Sequence, residues 1–409
     1  MGTFTTQPAT TGASAVYHPI KYTFEHNSTL AIETLRCLIE VRDGVGTQFY
    51  YTIRVPYSLK TLVSGTTYKY TFYIDVSAFC KHKLPPFTYQ VSSAFRFGST
   101  SYTNIDNPDF WVDVKVSATP EYRNAQGALQ DDGTATASNY STVLPASYRR
   151  GDAKNLDKYV TSGITGWLTK RPLTENNIST WCLDQEASLS IYFTQKKQTG
   201  TGQVIQLYVE QWPTALIGNY SDTIELVKNQ NGQITFSLNA IFNTIKATYP
   251  NVKQLRVQVG INDALGYNRK SEYAFITLDR NCCTGYTFSW MNELGGVDNY
   301  TFCGEAEIEM QTQNEFGQQY DDGITTRLKG YYKTDTITGE VIQIRDMIPS
   351  IDVDWVKYIL ASHEVYVKIG SNWFNTVILD ATAITESNVQ GMFEFSFTAR
   401  LSDVVTNHN

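Results

Sequence analysis

The chain of 409 residues is poor in several things that function usually requires. It has only 5 histidines, at 18, 26, 82, 363 and 408, and no pair has zinc-site spacing. No glycine-rich phosphate loop runs from a strand into a long helix, and no G-x-S-x-G elbow occurs. Nucleotide binding and α/β-hydrolase chemistry are therefore not indicated. Charged residues make up 18%, and 33 basic residues against 40 acidic ones leave a net charge of −7. No basic cluster exceeds Tyr148-Arg149-Arg150 or Lys196-Lys197. Nucleic-acid specificity is not expected from such a balance. No apolar run approaches the about 18 residues of a membrane span. The first 20 residues lack the basic and apolar regions of a signal peptide.

Cysteines are few and irregularly spaced: Cys37, Cys80, Cys182, Cys282, Cys283 and Cys303. No C-x-x-C is present, so the expectation is reduced, mostly buried thiols and no metal site. No cofactor is implied.

What the chain has instead is Thr, Ser, Asn, Gln and aromatics, with 27 Tyr and 20 Phe. This composition suits pleated, half-buried surfaces. Period-two alternation marks strands at Leu30–Ile39, Phe49–Val55, Tyr68–Ile74, 87–97 and 110–117. Later ones lie at Ser188–Thr194, Gln203–Glu210, Ile234–Leu238, Leu255–Ile261, Tyr286–Trp290, Thr301–Met310, Glu364–Ile369, Trp373–Leu379 and Phe393–Phe397. Asn231-Gly232 signals a turn, and Gly370-Ser371-Asn372 a tight hairpin. Short helices are expected at Ser77–Leu84, at Asn239–Tyr249 with Asn239 as cap, and at Asp352–Leu360. The expected fold is mainly β: tandem antiparallel β-sandwich domains with few short helices. The divisions are an extended arm over 1–28, a sandwich over 29–165 with a long polar loop at 119–147, a second sandwich over 166–282, and a C-terminal β domain over 283–409. The arm and loop hold few large apolar side chains, so one or both are expected to order against neighbouring subunits, with Tyr140 and Leu144 as interface anchors; the alternative is that Asp131–Ser141 folds back on its own domain as a long hairpin.

Carboxylate pairs occur at Asp106/Asp109, Asp321/Asp322 and Asp352/Asp354. The first two pairs adjoin Gly, Pro or Asn, ordinary turn or cap chemistry is the expected reading of all three, and no catalytic residue is assigned. Trp111, Trp181, Trp212 and Trp373 are candidates for stacking on sugar rings.

The most distinctive string is Trp290-Met291-Asn292-Glu293-Leu294-Gly295-Gly296-Val297-Asp298-Asn299-Tyr300-Thr301-Phe302. A strand ending at Trp290 enters a turn through Gly295-Gly296, with Asp298 capping it and at least one residue at positive φ. This string resembles a W-(L/M)-N-x-L-G-G-x-D-x-(Y/F)-x-F signature in virion structural proteins of tailed phages that infect Bacteroidota. Val16-Tyr17-His18-Pro19-Ile20 resembles the same family's Y-N-P-I opening, with His in place of Asn. Ile74-Asp75-Val76-Ser77 is similar to its strand-to-helix step, and Ile359–Val367 with the Trp373 hairpin and Phe393–Phe397 to its C-terminal module. The resemblance implies a tail, tail-tip or baseplate component of the virion, made in the host cytoplasm. Its partners would be other virion proteins and copies of itself in a ring-like homo-oligomer, without a catalytic role. The alternative is a receptor- or carbohydrate-binding tail module that meets a host surface glycan.

Overall fold

The computed structural model describes residues 2–8, 13–43, 47–84, 111–144, 146, 156, 166–182, 185, 187–194, 204–213, 216–221, 231–263, 266–269, 271–279, 283–318, 331–362, 364–386, 391–401 and 405–407. The strand expected at 87–97, the pairs Asp106/Asp109 and Asp321/Asp322, and His363 lie outside these residues. The described chain is mainly β, with short helices, and no described helix is long and apolar enough to cross a membrane.

The first domain is a sandwich. Its strands are β1 (Thr3–Thr6), β2 (Ala13–Ala15), β3 (Lys21–Ser28), β4 (Ile32–Asp43), β5 (Gln48–Pro56), β6 (Leu59–Ser64), β7 (Thr67–Asp75), β8 (Val112–Arg123), β9 (Leu129–Asp131), β10 (Thr136–Ala137) and β11 (Ser141–Leu144). One sheet runs β1-β3-β7-β6 and the other β2-β11-β8-β4-β5, with β9 and β10 also on β8. Alternation explains the packing. Leu35, Cys37, Ile39 and Val41 of β4 and Val112, Val114 and Val116 of β8 face Tyr22, Phe24, Tyr70 and Phe72 of the other sheet. Helix α1 (Ser77–Lys83) starts where Asp75 Oδ1 accepts from the Ser77 and Ile20 amides, at 2.9 and 3.0 Å.

Two expectations are corrected here. The arm is not free of its own domain. β1 pairs antiparallel with β3, β2 pairs parallel with β11, and the Phe4 ring lies 5.1 Å from that of Phe24. Nor is 119–147 a structureless loop, because β8 continues to Arg123 and β9, β10 and β11 fold back along it. Asn124 Oδ1 turns the chain by accepting from the Gln126 and Ala128 amides, with Gly127 at φ 81°. Backbone pairing to existing sheet edges supplies what these polar segments lack in apolar surface. Leu144 is fully buried in the chain itself, and Tyr140 donates to Glu40 Oε1 and accepts from Arg42 Nη2. Both assigned interface anchors are thus occupied inside the first domain.

The second domain contains β12 (Leu173–Thr174), β13 (Asn177–Cys182), β14 (Ser188–Thr194), β15 (Val204–Gln211), β16 (Leu216–Ser221), β17 (Asn231–Ser237), β18 (Gln254–Asp263), β19 (Gly266–Arg269) and β20 (Ala274–Asp279). The larger sheet runs β12-β13-β20-β18-β15-β16, with β19 on β18, and β14-β17 form a separate pair. The consecutive strands β14 and β15 therefore belong to different sheets. Asn231-Gly232 is not a turn; it opens β17 opposite Thr194 and Phe193. Helix α2 (Asn239–Thr248) starts at the expected residue, with Leu238 rather than Asn239 as its N-cap. Trp167, Trp181, Phe236 and Phe242 fill the core between the layers.

The third domain has β21 (Tyr286–Met291), β22 (Val297–Phe302), β23 (Glu305–Gln318), β24 (Tyr331–Pro349), β25 (Val365–Ile369), β26 (Asn372–Glu386), β27 (Met392–Leu401) and β28 (Val405–Asn407). They form one sheet in the order β22-β21-β25-β26-β27-β24-β23, with β28 on β24. The sheet curls so far that Phe302 of β22 stacks on Phe395 of β27, with centroids 5.8 Å apart. Helix α3 (Ser350–Val356) and a 3-10 turn (Lys357–Ala361) place Trp355, Val356 and Ile359 in the resulting trough. The expected run Thr301–Met310 breaks at Cys303-Gly304. A Cβ on Gly304 would lie 2.2 Å from the Arg345 carbonyl oxygen. The tight hairpin at Gly370 is present, with φ 62°.

Because Leu144 is interior, Leu144→Ala should destabilise the isolated chain by about 2–5 kcal/mol in urea unfolding. An unchanged midpoint would return Leu144 to the role of an anchor for a neighbouring subunit.

Candidate functional site

The residues of the distinctive string build a joint between all three domains. β21 and β22 form a hairpin whose tip, Asn292 to Gly296, is buried rather than exposed. Asn292 organises that tip. Its Oδ1 accepts from the Leu294 and Gly296 amides at 2.9 and 3.0 Å, and its own amide donates to the Gly296 carbonyl at 2.8 Å. Gly295 takes φ 81°, as the turn requires. Gly296 is needed for a different reason. A Cβ there would stand 2.0 Å from the Leu168 carbonyl oxygen. That same oxygen accepts from Asn292 Nδ2 at 2.7 Å.

Apolar contacts extend from the tip in one direction. Leu294 enters a cluster with Ala15, Trp111, Leu144, Ala146 and Leu168, so the first domain meets the start of the second at this side chain. In the other direction the contacts are polar. The Val297 amide donates to Ser190 Oγ at 3.0 Å, and Ser188 Oγ donates to the Val297 carbonyl and to Asn299 Oδ1. Thr169 Oγ1 donates to Asp298 Oδ1 at 2.7 Å.

Beside these contacts lies a seam of ionisable groups between the second and third domains. Lys170 Nζ is 3.0 Å from Glu293 Oε1. The Arg171 guanidinium sits between two indoles, 3.9 Å from the ring centre of Trp181 and 4.8 Å from that of Trp355. Its Nε donates to Ser179 Oγ and an Nη to the Thr180 carbonyl. Asp352 Oδ1 accepts from Ser179 Oγ and Trp355 Nε1. Trp355 in turn stacks on Trp290 at 5.7 Å. Burial pushes the Asp298 carboxyl up to about 6, against the opposing pull of the Thr169 and Asn292 hydrogen bonds and of Arg171. Burial likewise pushes Arg171 down to about 10, with Asp352 and Asp298 opposing it. The turn expected at Gly295-Gly296 is present, with Gly295 as its positive-φ residue. Asp298 is tied both to Asn292 of its own turn and to Thr169 across the domain boundary.

The Leu168–Arg171 segment is what sequence reasoning missed. Its one visible signal is the pair Lys170-Arg171 ahead of Pro172, opposite in charge to Glu293 and Asp298. The tryptophans named for sugar stacking are already engaged. Trp111 and Trp181 are buried, and Trp373 packs against Met291, Val297 and Tyr366. Trp212 meets the Phe275 ring at 5.2 Å and carries Arg256 over its face at 5.1 Å.

The first domain has a polar cleft of about 450 Å³ lined by His26, Ser28, Thr67, Asp132, Gly133 and Thr134, among others. His26 Nε2 is 2.8 Å from Asp132 Oδ2, and the other imidazole nitrogen is buried without a partner. That contact ties β3 to the turn after β9. Among the described residues of the lining Asp132 is the one carboxylate. Among the described residues no group of three His, Cys, Asp or Glu is placed to hold a metal ion. The expectation of reduced thiols is corrected in part. Cys283 and Cys303 are joined by a disulfide and Cys182 is also disulfide-bonded, while Cys37 and Cys80 are buried free thiols.

No protein-family model matches the chain, and no curated protein matches it significantly.

Two outcomes follow from the joint. Gly296→Ala forces the hairpin tip off the Leu168 backbone and should cost about 1–3 kcal/mol in urea unfolding, because backbone on both sides leaves little room to relax. For Asp298 the folded carboxyl titrates above the ordinary 3.8. Its contribution is therefore fully present below that value and is lost as pH rises through about 6. Wild-type stability should fall across pH 4 to 7 relative to Asp298→Asn, measured by urea midpoints; parallel profiles would exclude Asp298 as the source.

Proposed function

We propose that this chain is a structural component of a phage virion, placed in the tail or in the tail tip or baseplate. It acts there as a scaffold or adaptor through subunit interfaces and not as an enzyme. The observation that carries this reading is the location of the string on which the resemblance rests. Trp290–Phe302 is not a surface motif for a ligand. It is the hairpin that locks three β domains to one another through Asn292, Leu294, Gly296 and Asp298. A chain whose distinctive residues serve the rigidity of its own domain arrangement suits a part that must hold neighbours at set angles.

The surface is compatible with that role. On the first domain Tyr57, Leu59, Leu62, Val63 and Tyr73 are exposed on and around the edge strand β6. On the third, Ile308, Val377 and Leu379 are exposed. Two unlike apolar surfaces suit the head-to-tail contacts from which closed rings are built. Tyrosines among them add contact area and a hydroxyl for wet interfaces. The partners on this reading are other virion proteins and copies of the same chain, and the protein is made in the host cytoplasm before incorporation.

The alternative of a receptor- or carbohydrate-binding tail module rests on the polar cleft around Asp132, since Trp111 and Trp181 are buried and Arg256 lies over the face of Trp212. A host surface glycan would be its ligand. Mass photometry of the purified chain and proteomics of purified particles decide the leading reading. A ring-sized species and a particle-associated copy are expected. A strict monomer absent from particles would overturn it, and selective glycan-array binding lost in Asp132→Asn would favour the alternative.

A further inference from the structure

The disulfide between Cys283 and Cys303 closes the base of the hairpin whose tip fills the three-domain joint. The geometry is direct. Tyr286 pairs with Phe302 as the first rung of β21 and β22, and the two cysteines lie just outside that rung. Their Cα atoms are 5.8 Å apart, within the usual range for a bridge. The strands are drawn close at this end. A Cβ on Gly285 would lie 2.0 Å from the Phe302 carbonyl oxygen. Each cysteine is also held from outside the hairpin. The Cys303 amide donates to Asp346 Oδ2 at 2.7 Å, and Gln185 Nε2 of the second domain donates to the Cys283 carbonyl at 3.4 Å. Both residues are exposed, so a small oxidant or reductant reaches them. The free thiols Cys37 and Cys80 are the opposite case: both are fully buried, and burial pushes each up to about 12, which keeps them out of exchange.

We propose that Cys283 and Cys303 are a thiol–disulfide exchange site whose oxidation locks the β21–β22 hairpin and, through its tip, the three-domain joint. The co-reactant is a low-molecular-weight disulfide of the glutathione type. One protein thiolate attacks it and releases one small thiol, leaving a mixed disulfide. The second protein thiolate then attacks the protein sulfur of that mixed disulfide and releases the other small thiol. Two protein S–H bonds and one small-molecule S–S bond are exchanged for one protein S–S bond and two small-molecule S–H bonds. The chain would be flexible at the joint in a reducing compartment and fixed outside it. This inference does not depend on the virion reading.

The test equilibrates the full chain with glutathione and glutathione disulfide, reads the bridge by differential alkylation and peptide mass spectrometry, and follows hydrogen exchange in each state. The reporters are the amides of Leu294, Gly295, Gly296 and Val297, all hydrogen-bonded at the tip. The expected result is a Cys283–Cys303 bridge in the oxidised chain. Reduction should speed exchange at these amides on the order of a hundredfold, reversed by reoxidation, as expected for opening a bridge across 20 residues. A doubly substituted Cys283→Ser, Cys303→Ser chain should exchange like the reduced wild type and ignore redox state. Cys182→Ser should keep the response. Free thiols at 283 and 303 under excess glutathione disulfide, a bridge from Cys283 to a different cysteine, or equal exchange in the two states overturns the proposal. Should the double variant not fold, the reversible wild-type comparison still decides.

Discussion

The carbonyl oxygen of Leu168 is the point at which the second and third domains are fastened together. It receives the Asn292 side-chain amide and lies against Gly296 so closely that no other residue fits there. A contact between backbones is hard to replace, because neither side has a flexible group that can move aside. Asn292 is tied at the same time to the Leu294 and Gly296 amides, so the side chain that reaches across the boundary also shapes the turn. Turn geometry and domain geometry are therefore one constraint. The next residue but one, Leu294, is aimed by that turn into the apolar cluster shared with the first domain.

The polar seam beside this contact adds orientation more than stability. Carboxylates and cations removed from water gain little overall once desolvation is counted. Their geometry is nonetheless demanding. Arg171 fits only if Trp181 of the second domain and Trp355 of the third lie at the right separation on either side. Asp352 is shared between Ser179 of one domain and Trp355 of its own. A rotation of the domains would strand these groups without partners. Apolar packing brings the domains together, and the seam selects one arrangement of them.

The same logic operates in the first sandwich, where segments with little apolar surface are held by backbone pairing and specific polar contacts. His26 with Asp132 ties β3 to the turn after β9, and buried Glu121 receives Arg54 from β5. These polar strands carry too few large side chains to order themselves, yet they order on sheets that already exist.

Alternation of apolar and polar residues by itself determined the β class, most strand positions and the three short helices, because side-chain period is a local property. The Gly295 turn was legible too, since adjacent glycines mark backbone that other residues resist. Sheet membership was not, and β14 and β15 show why: each strand carries a full alternating pattern, and nothing in that pattern says that its partner is β17 or β18. The arm and the segment after β8 read as unstructured because their order comes from edges supplied by distant strands. The cysteine pair was equally hidden, since a spacing of 20 residues becomes proximity only once a hairpin folds. Burial of residues 290–299 was decided by tertiary structure alone. A turn of Asn, Glu and Gly carries the composition of a surface loop, and only the facing Leu168–Arg171 segment supplies the partners that let those polar groups leave water.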